Sequence, residues 1–108
     1  MTDLSRDLHV FTVNRGSVTL VEVGGELDLS TVSAFEDHLE LAVGQGRGDV
    51  VVDMSQVAFC DSRALCALVA ARHDAATAHR GVRVINPSRC VERLLQLTSL
   101  QCLLADPA

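Results

Sequence analysis

The residues best placed to do chemistry are Asp61 and Ser62, where the apolar pattern changes from strand-like to helix-like. Upstream lies the β-branched run Val50-Val51-Val52, and downstream Ala64, Leu65 and Leu68 recur at helical spacing. Asp and Ser are both favoured at a helix start, where backbone N–H groups lack partners and the helix dipole is positive. The Ser62 hydroxyl is thus the atom most open to modification. Other groupings fall short of a site. A hydrolase built on Ser62 needs His73 or His79 as base, but no G-x-S-x-G turn surrounds the serine, and His73 lies three turns along the same helix. Cys66, His73 and His79 match no closed zinc spacing and lack a fourth ligand. Asp53 stands where a receiver domain keeps its phosphoacceptor, yet no acidic pair follows the first strand and the chain has no Lys. Asp53 is expected to bond the backbone of the turn after it. No enzyme active site and no cofactor motif emerges.

Composition narrows the partners. Apolar residues make up 48 % of the 108 residues and aromatics 3 %, with no Trp or Tyr, so the core must be aliphatic. Stacking platforms for sugars or single-stranded nucleic acid are missing. The net charge is −5, with 14 acids against 9 bases, all of them Arg. No basic face for nucleic acid is visible, and without Lys neither a P-loop nor a Schiff-base enzyme is possible. No apolar run approaches the ~20 residues that span a bilayer, and the first ten residues lack a signal-peptide core. A cytoplasmic protein with no membrane partner is expected. Cys60, Cys66, Cys90 and Cys102 form no C-x-x-C pair and read as buried free thiols of a reducing cytosol.

These side chains must be positioned by elements that the pattern also predicts. Strands are expected at 8–13 and 17–23, joined by a turn at Asn14-Arg15-Gly16, and at 50–54, 82–85 and 100–104. The strand at 50–54 is apolar on both faces, as a central strand covered by helices should be. A first helix starts at Ser30 or Thr31 and runs to about Val43, with Val32, Phe35, Leu39 and Ala42 as its buried stripe. Gly44, Gly46 and Gly48 stop it. A second helix runs from Ser62 to about His79, with Ala64, Leu65, Leu68, Val69, Ala75 and Ala76 inward. Its outer face, carrying Arg63, Ala67, Ala70, Asp74 and Thr77, is poor in charge near Ser62. A third follows Ser88, with Val91, Leu94 and Leu95 as its face. His9 and His38 are isolated. The order β-β-α-β-α-β-α-β implies one α/β domain over residues 1–108. It has a mainly parallel five-stranded sheet, an antiparallel first edge strand and helices mostly on one side.

Gly25-Glu26-Leu27-Asp28, followed by Val50–Val57 and Phe59-Cys60-Asp61-Ser62-Arg63-Ala64-Leu65, resembles the STAS domain and, within it, the anti-sigma factor antagonists. The similarity continues through Val84-Ile85-Asn86-Pro87-Ser88 and Leu94-Leu95-Gln96-Leu97-Thr98-Ser99-Leu100. The resemblance implies a partner switch. The unmodified protein binds an anti-sigma factor that is also a serine kinase, and phosphorylation at Ser62 separates the pair. A PP2C-type phosphatase resets it. It also implies that Asp28, Ser30, Thr31, Asp61 and Arg63 contact the partner. The alternatives are a constitutive interaction module that is never phosphorylated, and a domain that senses a small molecule. Arg63 and Ala64 stand where the family usually has a small or hydroxyl residue followed by Gly. Ser99 replaces another usual Gly, and the family's C-terminal helix is missing after Leu104.

Overall fold

Asn14 and Gly16 turn the chain as expected: the Asn14 side chain accepts from the Gly16 N–H (3.1 Å), and Gly16 takes φ 75°. The computed structural model describes residues 2–4 and 8–103. Five strands and three helices follow in the order β1 (Thr2–Leu4), β2 (Leu8–Asn14), β3 (Val18–Leu27), α1 (Val32–Gln45), β4 (Asp49–Cys60), α2 (Ser62–Ala76), β5 (Val82–Ile85) and α3 (Arg89–Leu97). A short 3-10 turn, Gln101–Leu103, ends the described chain.

The strands form one mixed sheet in sequence order. β2 lies antiparallel to both β1 and β3, while β3, β4 and β5 run parallel. Four predicted strands are present; the one expected at 100–104 is not, since Gln101–Leu103 winds as a 3-10 turn and Leu104 falls outside the described residues. Its place as an apolar segment is kept in another way, because Leu103 is buried against the core. The sheet gains β1 at the other edge instead, so the antiparallel strand β2 is interior and not an edge.

Period-two burial follows from the β-branched runs. Val10, Val21, Val23, Val50, Val52, Met54, Val82 and Val84 face inward and pack with Phe35, Leu39, Leu68 and Leu95. Side chains of this size contribute roughly 1.5–3 kcal/mol each when fully buried. The alternate residues Leu20, Val51 and Ile85 are only half-buried and Phe11 is exposed. Hence β4 is covered on one face, as helices mostly on one side require, although Val51 on its other face is apolar too.

β4 also outruns its prediction by six residues. Between the pairs Glu22–Asp53 and Leu27–Cys60, β3 advances five residues while β4 advances seven. Two register shifts absorb the difference, and burial along β4 changes from strict alternation to Met54 and Val57 inward with exposed pairs between them. The apparent polar turn at Asp53–Gln56 is therefore bulged strand. Asp53 behaves as expected, accepting from the Ser55 N–H (2.9 Å), and also from the Asn86 amide (3.2 Å).

α2 ends at Ala76, and its stripe is rotated from the predicted one: Ala67 and Ala71 are buried, Val69 and Ala76 exposed. Small residues on that side let α2 approach α1. His79 and Ser99, at φ 58° each, close the ends of α2 and α3 with backbone bonds Arg80 N–H to Ala75 O (3.0 Å) and Leu100 N–H to Leu95 O (2.9 Å). Arg80 then donates to the carbonyls of Gly48, Val43 and Ala42, fastening α2 to the carbonyl end of α1.

Candidate functional site

β3 and β4 are parallel neighbours, so the loops that leave them emerge at the same edge of the sheet. Leu27 pairs with Cys60, and the Asp61 N–H donates to the Leu27 carbonyl (3.2 Å). The segment 28–31 therefore lies beside Asp61 and Ser62.

Asp61 has extended backbone geometry and is the cap of α2: its Oδ1 accepts from the Arg63 N–H (2.9 Å). Its Oδ2 pairs with the Arg63 guanidinium at 2.8 Å. Ser62 is the first residue of the helix, exposed, with both flanking residues tied to each other over it. The expected exposed hydroxyl at a helix start is found, with the capping done by Asp61.

The Asp28 loop is organised from within. Asp28 Oδ1 accepts from the Ser30 N–H (3.0 Å), the Ser30 hydroxyl (2.8 Å) and the Thr31 hydroxyl (3.3 Å). The Ser30 hydroxyl, foremost, holds the Asp28 carboxyl below its ordinary value of 3.8, against an opposing effect of burial. Thr31 also donates to the Glu26 carbonyl (2.7 Å) and accepts from the Asp28 N–H (3.0 Å). The Asp28 carbonyl accepts from the N–H groups of Thr31 and Val32, which starts α1. Asp28 is half-buried and Ser30 exposed, whereas Thr31 is 8 % exposed and acts on the loop from inside. Thr31 occupies the helix cap position without making a side-chain cap bond.

Three features near Ser62 escaped the sequence reading. Leu29 is 72 % and Phe59 47 % exposed, so large apolar side chains stand on the loop and on the strand next to the serine. A Phe in a strand ordinarily signals core; only the bulges of β4 turn it outward. The Cys60 thiol is pushed up to about 12, first by burial and then by Cys90 and Asp61 beside it. Cys90 Sγ is 3.4 Å from the Val57 carbonyl, so the two thiols sit where α3 docks on β4. Finally, an open groove of about 580 Å³ starts at Ser62 and runs along Leu65, Cys66, Val69 and His73 to Leu100. The weak charge of this outer face of α2 was legible in the sequence; its concavity, made by the chain after α3, was not.

The other candidate groupings do not assemble. Ser62 and His73 line the same groove, but eleven residues of helix separate them by ~16 Å. Cys66 and His73 share that groove while His79 lies past the end of α2. Cys66 and Cys102 are exposed, contrary to the burial expected of them, because α2 turns Cys66 to its outer face and Cys102 sits on the outside of the last 3-10 turn; Cys60 and Cys90 are half-buried. Among the described residues no group of three or more His, Cys, Asp or Glu is placed to hold a metal ion, and no helix is long and apolar enough to cross a membrane.

A mixed sheet with its helices on one side, and an exposed serine opening the helix after a central strand, define a small α/β domain. The chain belongs to the STAS domain family: the family described as "Mlab, STAS domain" matches residues 10–105. It is similar to the anti-sigma-B factor antagonist of Staphylococcus epidermidis, with 29 % identity over 98 residues, covering 91 % of each chain. In fold it is similar to an anti-sigma factor antagonist from Mycobacterium paratuberculosis (TM-score 0.84, 24 % identity, 98 % of this chain and 91 % of that one). It is also similar to the Bacillus cell fate determinant SpoIIAA in its phosphorylated form (TM-score 0.69, 18 % identity, 94 % and 91 %).

Proposed function

We propose that this protein is an anti-sigma factor antagonist that works as a partner switch, with Ser62 as its phosphorylation site. In this reading the unmodified form binds an anti-sigma factor that is also a serine kinase, in the cytoplasm, and frees the sigma factor. Phosphorylation of Ser62 separates the pair and a PP2C-type phosphatase restores the binding form. The observation that carries the reading is the place of Ser62: exposed, at the start of α2, beside the Asp28 loop and at the head of an apolar groove. The likeness to proteins named as anti-sigma factor antagonists supports the partner class.

The chemistry follows from charge. A phosphate adds roughly −1.5 to −2 charges at neutral pH. Placed between Leu29, Phe59 and the groove, that charge would have to lose water against apolar surface if the complex stayed closed. Asp61 and Asp28 add repulsion, and each ~1.4 kcal/mol lost weakens binding tenfold. Asp28, Ser30, Asp61 and Arg63 are assigned as the polar contacts around the serine, with Thr31 supporting the loop.

Incubation with the cognate kinase and ATP, followed by intact-mass measurement, tests the switch. A gain of one phosphate, absent in Ser62→Ala, is expected, together with loss of the complex. Ser62→Ala should bind and be insensitive to ATP; Ser62→Asp should lose most binding. A competent complex with no mass gain would make the domain a constitutive interaction module.

A further inference from the structure

At the opposite end of the sheet from Ser62 lies a cavity of about 320 Å³ between the β2–β3 hairpin and the last turns of α1. Thr19 pairs with Val50 at this end, whereas Leu27 pairs with Cys60 at the switch end. α1 runs between the two, its 14 residues spanning ~21 Å. The cavity thus shares no residue with the serine loop.

Its polar wall carries Thr12, Asn14, Thr19, His38 and Gln45, and none of these is an acid or an Arg. Thr19 is 3 % exposed and its hydroxyl has no hydrogen-bond partner in the protein. An unpaired buried hydroxyl destabilises the fold, a cost that a bound molecule offering a partner would remove. His38 occupies a position of the buried stripe of α1 where an aliphatic residue would serve packing. It is 4 % exposed, with Nδ1 3.2 Å from the Thr12 hydroxyl. Gly46 has an ordinary φ of −79°, but a Cβ there would come within 2.5 Å of the Ala42 carbonyl, so glycine is required by the end of α1 itself. The same Cβ would come within 2.3 Å of the Thr19 hydroxyl, so Gly46 lies directly against that atom.

We propose that this cavity binds a small uncharged molecule of the nucleobase kind, with hydrogen-bond donors and acceptors on adjacent ring atoms. Gln45 carries an amide with donor and acceptor side by side, which complements such an edge. Asn14 already accepts from Gly16 through its oxygen, so its NH₂ is the part left to donate. Leu41 and Ala42 offer an apolar surface to the face of a ring. A phosphate or carboxylate group inside would be buried without a counter-charge, which disfavours ionised ligands. The volume is at the small end of ligand sites, suited to a single base and not to a large cofactor.

Titration of the full ¹⁵N-labelled chain with uracil and with adenine, followed by amide chemical shifts, tests the site. Saturable shifts at Thr12, Thr19, His38 and Gln45 are expected with at least one of the two. Gln45 is exposed, so Gln45→Leu should leave the fold intact and weaken that binding about tenfold, the worth of one hydrogen bond. Ser62→Ala should bind as the parent does, which separates this site from the switch. Saturation by glucose at the same amides, with none by either base, would overturn the ligand class. No saturable shift with any of the three, or shifts that Gln45→Leu leaves unchanged, would overturn the site.

Discussion

Asp61 and Arg63 hold each other across Ser62: one carboxylate accepts both the backbone N–H and the guanidinium of Arg63, at 2.9 and 2.8 Å. The cation nearest the serine in sequence is therefore already engaged. A phosphate on Ser62 would compete with Asp61 for it.

This gives a double-mutant cycle. Asp61→Ala should cost about 1 kcal/mol, the loss of a helix cap, whereas Asp61→Asn should cost less because Asn also caps. Arg63→Ala should change stability by less than about 1 kcal/mol, since the pair is exposed. Ser62→Asp should be more destabilising in the Arg63→Ala background than alone, as Arg63 is then no longer there to accept the new charge. Urea unfolding of the four proteins reads the coupling; a coupling of zero would mean that Arg63 stays with Asp61.

Asp28 makes the switch loop sensitive to acid. Its folded value lies below the ordinary one, chiefly through the Ser30 hydroxyl. The stability it contributes is present in full above the ordinary Asp range and is lost as pH falls through the lower folded value. Amide shifts of Ser30 and Thr31 should therefore titrate below the usual carboxylate range. Ser30→Ala should move that titration back up; a titration unmoved by Ser30→Ala would remove the serine as its cause.

Thiol reactivity should follow burial. With Cys60 pushed up to about 12, almost none of it is thiolate at pH 8. Iodoacetamide at that pH should label the exposed Cys66 and Cys102 before Cys60. Peptide mapping over time checks the order, and early labelling of Cys60 would contradict the packing of α3 on β4.

Ser99 closes α3 in the left-handed region, where a Cβ is strained. Ser99→Gly should raise stability by about 1 kcal/mol, read as a higher urea midpoint. A lower midpoint would mean that the serine hydroxyl stabilises the turn more than its backbone strains it.

How much of this was legible differs element by element. Val50–Val52 and the stripe Val32, Phe35, Leu39 and Ala42 are local signals, because period and side-chain type act within one element. Asp61-Ser62 was legible for the same reason, as helix caps are written within a turn of sequence. The Asp28 loop was assigned by resemblance to the same partner contact as Asp61 and Arg63, and its internal bonds to Ser30 and Thr31 are as short-range as a cap. The segment 100–104 misled because an apolar run carries no record of whether an edge is free to accept it; Leu103 finds burial without pairing.

By itself, then, the sequence determined an aliphatic α/β domain with an exposed hydroxyl at a strand-to-helix junction, since composition, period and caps are properties of neighbouring residues. Only the tertiary structure decided which way Phe59 and Val69 face, because two extra residues in β4 and the docking of α2 on α1 set those orientations. It alone joined Thr12, Thr19 and His38 into one cavity, since these residues meet only when the hairpin folds against the far end of α1. Contacts between distant residues depend on register and packing angle, and neither is written in any single stretch of the chain.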